Sequence, residues 1–362
     1  MSSSGLRSVG RAAIVSRHAS TLKHVTQALA VANLSSRQAI GPSFLPRSAP
    51  GEFELVLLDL DIDPATAPTE LCAQVAAACK NTPILVLAGV NARHRLVQSL
   101  AHPDVVGCMP KLGAWSETAT SDAKLEGPDE QELGLALRRR VERAIQPSGP
   151  AAYLLAGTVI EERLVGSSAD KDETLGALLA DAGRFGLGDE KLRRLETAAD
   201  ELMLNAVYDA PRDERGKPLH ADIDRRTPVT LAAQAQVRVR WGCDGRSFVV
   251  SVADRFGALE RATVAAHVQR LLDARSPRLG RAGPPGTTAG GAGLGSATTG
   301  GAGLGSATTG GAGLGLVLTY SAANTLALQV VRGRFTEATA ALHVAGSNRT
   351  AVARGSALHI YD

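Results

Sequence analysis

The chain is short of aromatic residues, of cysteine and of excess charge, and each shortage closes a class of function. Phe, Trp and Tyr together supply 3% of the 362 residues, while Ala and Gly are plentiful, which points to tightly packed helices. Lys and Arg number 39 against 36 acids, a net of +3. A nucleic-acid reader carries a concentrated basic stripe, so no nucleic-acid partner is expected. The four cysteines, Cys72, Cys79, Cys108 and Cys243, are scattered and form no CxxC pair. They read as buried, reduced thiols of a cytoplasmic protein. No pair among the eight histidines has metal-ligand spacing. The first twenty residues have no apolar core of signal-peptide length. Residues 312–331 are uncharged over about a bilayer's width. Their Thr319, Ser321, Asn324, Thr325 and Gln329 fit a half-buried helix running into a strand better, and no membrane span is expected. No GxxxxGK[ST] phosphate loop is present. A dinucleotide GxGxxG would need glycine at Ser296, Ser306 or Leu316, and no glycine run follows a strand.

What remains is a chain with 44% hydrophobic residues, long enough for two domains that each bury a core. In residues 1–145, "RAAIVS", "FELVLLDLD", "TPILVLAG" and "DVVGCMPK" read as buried strands alternating with helical segments. That alternation predicts a doubly wound parallel sheet of the α/β class. "QPSGP" at 146–150 marks a linker. From 151 to 345 the strands group apart from the helices, which predicts an α+β two-layer sandwich; 346–362 reads as a C-terminal tail.

The second half concentrates the chemistry. In "DEKLRRLETAADELMLNAVYDAP", Leu195, Ala199, Leu202 and Ala206 mark the core face at spacings of four, three and four. Glu201 and Asn205 stand one turn apart on another stripe. Such a carboxylate–carboxamide pair either holds a hard cation through oxygen or is an ordinary solvated pair. "VVSVADRFGAL" places Asp254 at a strand end with Gly257 in the following turn, where a carboxylate can meet the exocyclic amine of a base. Residues 290–316 contain a ten-residue unit, "GGAGLGSATT", twice complete, and then a third copy that runs into "LVLTYSAANTLALQVV". Only this third copy, with Gly311, Gly313 and Gly315, opens a helix whose N–H groups and dipole favour phosphate. The first two copies have the composition of a flexible tether.

The order of these three motifs, "DELMLNAVYDAP", "DRFGAL" and "GAGLGL", resembles the ATP-binding domain shared by histidine kinases, anti-sigma-factor kinases, gyrase, MutL proteins and ninety-kilodalton chaperones. The similarity covers residues 151–345, with 286–315 as a glycine-rich lid. By that resemblance Asn205 ligates Mg²⁺ and Glu201 is the catalytic residue that positions or activates the nucleophile. Asp254 binds the adenine amino group of ATP, Gly257 leaves it room, and Gly311, Gly313 and Gly315 close over the phosphates. Two departures weigh against fast phosphoryl transfer. Asp209 stands where kinases often carry a base, and the first glycine box has its glycine one place late.

The first half resembles a response-regulator receiver. Asp59 ends its third strand where a phospho-acceptor stands, and Lys111 takes the place of the phosphoryl-contacting lysine. Arg17 and His18 replace the metal-binding acids and Ala88 the hydroxyl residue, so a degenerate receiver is expected, without phosphorylation at Asp59. Together the resemblances imply a bacterial signalling protein that binds Mg·ATP and acts on, or regulates, a protein partner of signalling or sigma/anti-sigma type. The alternative is an ATP-gated switch or scaffold without catalysis.

Overall fold

Continuous apolar runs become the central strands of the first half. In the computed structural model, which describes residues 10–45, 47–89, 92–111, 133–134, 137, 148–220, 223–275, 312–344 and 356–361, every residue of β3 (Leu55–Asp59) and β5 (Val105–Lys111) is buried. Strands covered on both faces need this. With β1 (Gly10–Val15), β2 (Leu34–Ala39) and β4 (Ile84–Gly89) they run parallel in the order β2-β1-β3-β4-β5. Alternate residues serve two cores. Ala12, Ile14, Leu57 and Leu85 pack with Val25 and Leu29 of α1 (Ala19–Val31). Ala13, Val15, Val56 and Leu58 pack with Leu71 of α2 (Pro68–Ala78) and Leu96 of α3 (Arg93–Ser99). Helices thus lie on both faces. Strand β2 has no apolar signal: Ser35 to Gln38 are all exposed, and this edge strand is held by backbone pairing to β1.

In the second half, β6 (Ile160–Val165), β7 (Val237–Cys243), β8 (Ser247–Asp254), β9 (Thr325–Val331) and β10 (Phe335–His343) are antiparallel, in the order β9-β10-β8-β7-β6. Residues 150–159, before β6, form a short 3-10 turn and loop rather than a strand. Tyr153 and Leu154 tuck against Val249 and Ala327 on one side of the sheet. The other side is covered by α4 (Ser168–Arg184) and α5 (Asp189–Leu204). Ser167 caps α4 by accepting from Asp170 N at 3.1 Å, and Asp170 accepts in return from Gly166 N at 2.9 Å. Leu195, Ala199, Leu202 and Ala206 are buried as their spacing predicts, against Trp241, Phe248 and Val250. Residues 312–331 form α7 (Ala312–Ala322) and then β9. No helix among the described residues is long and apolar enough to cross a membrane.

Two findings depart from a chain of separate sheets. Residues 357–361, read as tail, form β11 (Ala357–Tyr361), which pairs parallel with β9 and antiparallel with β5. Eleven strands therefore make one mixed sheet. Gly107 permits the join, since a Cβ there would lie 2.8 Å from His359 Nδ1. Helix α6 (Arg261–Arg275) crosses the same boundary, for its Val264 and Val268 share a core with Leu96 and Leu100. Its Arg261 donates to the carbonyls of Pro103, at 3.1 Å, and Val105. The result is a mixed α/β architecture with a continuous core rather than two independent layers.

Candidate functional site: a cavity at the end of β8

Helix α5 does not stop at Leu204 but widens into one π turn, Asn205–Asp209, in which Ala210 N donates to Asn205 O at 2.8 Å. Such bulges often mark functional positions. Glu201, Asn205 and Asp209 come out on one side, because a single guanidinium reaches all three. Arg225 Nη1 lies 3.5 Å from Glu201 Oε2, Nη2 lies 3.3 Å from Asn205 Oδ1, and Nη2 also bonds Asp209 Oδ2. Burial raises the carboxyls of Glu201 and Asp209, and Arg225 opposes the rise in both.

Beside this cluster a cavity of about 900 Å³ opens between α5, the end of β8, the start of α6 and the β9–β10 turn. That is the size of a small-molecule site. Its lining includes Asn205, Asp209, Asp254, Gly257 and Leu316, but not Glu201. Asp254 is 6% exposed. Its Oδ1 accepts from Phe256 N at 2.8 Å and Gly257 N at 3.3 Å, and Thr336 across the ladder also donates to it. Burial nevertheless pushes its carboxyl up to about 6, and no cation pairs with it among the described residues.

Gly257 has a structural reason of its own. Its φ is +59°, and a Cβ would collide with Val331 O and stand 2.8 Å from Gly333 N. Only glycine lets this turn lie on the β9–β10 turn. Gly315, in α7, is pressed against the acid–amide pair, where a Cβ would collide with Glu201 Oε2 and lie 3.2 Å from Asn205 Oδ1. The third glycine copy therefore ends on the pair identified from helical spacing. Gly313 lies in the first turn of α7. Gly311 and the lid to which it belongs, up to residue 311, lie outside the described residues.

Sequence reasoning missed Arg225 and Thr336. Arg225 sits in the irregular connection between the π turn and β7, sixteen residues or more beyond its acceptors, so no periodicity marks it. Thr336 is legible only once β10 is registered on β8.

The first half ends its own strand on an aspartate of opposite character. Asp59 accepts from Ser16 Oγ at 2.7 Å, Lys111 Nζ at 2.8 Å and Asp61 N at 3.1 Å. Lys111 also meets Asp61 Oδ2 at 2.6 Å, and Gly89 N donates to that oxygen at 2.8 Å. Asp59 and Lys111 are each 1% exposed. Every oxygen of Asp59 is engaged and sealed from solvent.

No protein-family model matches the chain, and no curated protein sequence matches it.

The residues can be tested against the two groups that the resemblance implies. A nucleotide base fits: the cavity has the volume and Asp254 offers an acceptor in a dry wall. Mg²⁺ does not fit the arrangement present. Glu201, Asn205 and Asp209 are oxygen donors of the right kind, but the Arg225 guanidinium already lies on all three. Among the described residues no group of three His, Cys, Asp or Glu side chains is placed to hold a metal.

Proposed function

We propose that the chain is a signalling protein that binds an adenine nucleotide, with ATP the expected form, and passes its binding state to a protein partner without transferring the phosphoryl group. One observation carries the ligand: a carboxylate 6% exposed, raised to about 6, in the wall of a 900 Å³ cavity. A buried carboxylate without a countercharge opposes folding, and perturbed groups of this kind cluster at functional sites. An exocyclic amine would add a further donor to a carboxylate that no cation pairs with among the described residues.

Two further observations favour a switch over a kinase. Glu201 has one carboxylate oxygen 3.5 Å from the Arg225 guanidinium, a contact that opposes its protonation. The cavity also reaches the start of α6 through Glu260 and Thr263, and the next residue, Arg261, is tied to carbonyls of the first half. A ligand that reorders the start of α6 would be felt at Pro103 and Val105. In this reading the first half is a receiver-like module used for contact rather than phosphorylation.

The test is calorimetric titration of the full chain with adenosine, ADP and ATP, alongside Asp254→Asn. We expect binding to wild type and at least tenfold weakening in Asp254→Asn, the worth of about 1.4 kcal/mol. At 100-fold excess over Kd the ligand should add about 2.7 kcal/mol of stability. Absence of any thermal shift at millimolar ligand would end the nucleotide reading. Transfer of labelled phosphate from ATP to a protein would restore the kinase reading.

A further inference from the structure

Three side chains that bear oxygen, spaced four apart through a helix and its π turn, normally need a cation between them when they are drawn from water. Here the cation is part of the chain. We propose that Arg225 is a built-in cation that replaces a divalent metal ion at Glu201, Asn205 and Asp209, so that ligand binding in the adjoining cavity is independent of metal.

The geometry suits a guanidinium. Its planar fork presents five N–H donors, and two of its nitrogens account for the contacts at 3.5 Å, 3.3 Å and the Asp209 bond. The other charged groups around the set are accounted for. Lys171 is paired with Asp172 and Asp200, at 2.8 Å and 2.5 Å. Arg212 turns its Nη1 to the carbonyls of Asp209, Ala210 and Pro211. Arg225 is therefore the cation that answers Glu201 and Asp209 directly, and its opposition to their burial-driven rise agrees with that. On another side Gly315 closes the set, leaving no room for even a Cβ beside Glu201 Oε2. A divalent ion held by the same three side chains would sit beside a like charge. Arg225 also fastens the connection that walls the cavity, since Arg212, Asp213, Glu214 and Pro218 of that connection line it. The same contact that excludes the metal shapes the ligand space.

The nucleotide half of this inference rests on the function proposed above; the metal half does not, and the experiment separates them. Free Mn²⁺, followed by its electron paramagnetic resonance signal, is titrated into the full chain as wild type, Arg225→Gln, Arg225→Lys and Arg225→Gln/Asn205→Ala. We expect no Mn²⁺ bound by wild type or Arg225→Lys at sub-millimolar metal. Arg225→Gln should gain one site at least about tenfold tighter, since a unit charge has left the oxygens, and the double variant should lose it. In parallel, ATP is titrated into wild type in EDTA and in Mg²⁺, an arm that needs no variant. Affinities within about twofold of each other support the proposal. A wild-type Mn²⁺ site abolished by Asn205→Ala, or ATP affinity that falls tenfold in EDTA, overturns it and leaves the nucleotide reading standing. If wild type binds no adenine ligand in either buffer, the nucleotide reading falls, and the Mn²⁺ series alone decides the role of Arg225.

Discussion

Asp59 and Asp254 both stand at the end of a buried strand, one in each half of the chain, and their surroundings differ. Asp59 has a buried ammonium at 2.8 Å, a hydroxyl at 2.7 Å and a backbone N–H at 3.1 Å. Asp254 has the backbone N–H groups of Phe256, Gly257 and Thr336 and the Thr336 hydroxyl, faces a cavity, and has no cation among the described residues. A buried charge that is paired and fully bonded serves the fold. One that is left unanswered works against the fold and is held there by everything else. The first half therefore holds a locked charge cluster and the second half a buried carboxylate that no cation pairs with among the described residues.

The strongest way to break the comparison is to unlock the first cluster. Lys111→Met removes the ammonium shared by Asp59 and Asp61 and leaves a buried carboxylate unpaired. Removing one partner of such a pair costs about 3–5 kcal/mol. Urea denaturation at pH 7 should show that loss, and Asp59→Asn in the Lys111→Met background should recover much of it. A loss below about 1 kcal/mol would mean that the cluster is loosely held and that Asp59 is available for chemistry after all.

The sequence made these two aspartates visible for the same reason. Asp59 follows "LVLL" and Asp254 follows "FVVSVA", so both read as strand ends from apolar runs alone. The Glu201–Asn205 pair followed from helical spacing, and the buried stripe Leu195, Ala199, Leu202 and Ala206 from the same periodicity. Long-range partners were not legible. Lys111 and Asp59 were placed by resemblance, but Ser16 joins them only through the pairing of β1 with β3. Arg225 and Thr336 depend on tertiary placement that no local pattern encodes. Strand β2 was hidden by its polar, exposed residues, and β11 by following a polar stretch. That short strand matters most to the architecture, because it alone makes the sheet continuous.

Relieving Asp254 should have the next largest effect. Its carboxyl lies at about 6 when folded, against 3.8 as the ordinary value. Between pH 4 and 6 the folded chain therefore holds a proton that the unfolded chain has released, and stability falls as the pH rises through that window. At pH 7 the accumulated penalty is about 2 pKa units, or about 3 kcal/mol. Asp254→Asn should thus be more stable than wild type by about 2–3 kcal/mol at pH 7 and little different at pH 4, while losing adenine binding. Thermal unfolding at both pH values reads the first effect and titration with adenosine the second. Equal stabilities at pH 7 would show that some partner already answers Asp254.

The smallest effects come from a matched pair of hydroxyl deletions, and they test the contrast most directly. Ser16→Ala removes a buried donor to Asp59, which is 1% exposed and keeps Lys111 and Asp61 N as its other partners. A hydrogen bond to a charged acceptor is worth about 1.5–3 kcal/mol, and a loss of about 2 kcal/mol at pH 7 is expected. Thr336→Val removes the corresponding donor to Asp254, but that carboxyl lies close enough to neutral pH to respond by taking up a proton. Its titration midpoint, followed by carbon NMR of the carboxyl, should move above the wild-type value of about 6. Once protonated the group no longer needs the lost donor, so the loss should stop near 1 kcal/mol at pH 7 and shrink further toward pH 5. Asp254, which no cation pairs with among the described residues, exchanges the lost bond for a proton. Equal losses with the same pH dependence would place the two residues in one class and remove the reason for assigning a ligand to Asp254.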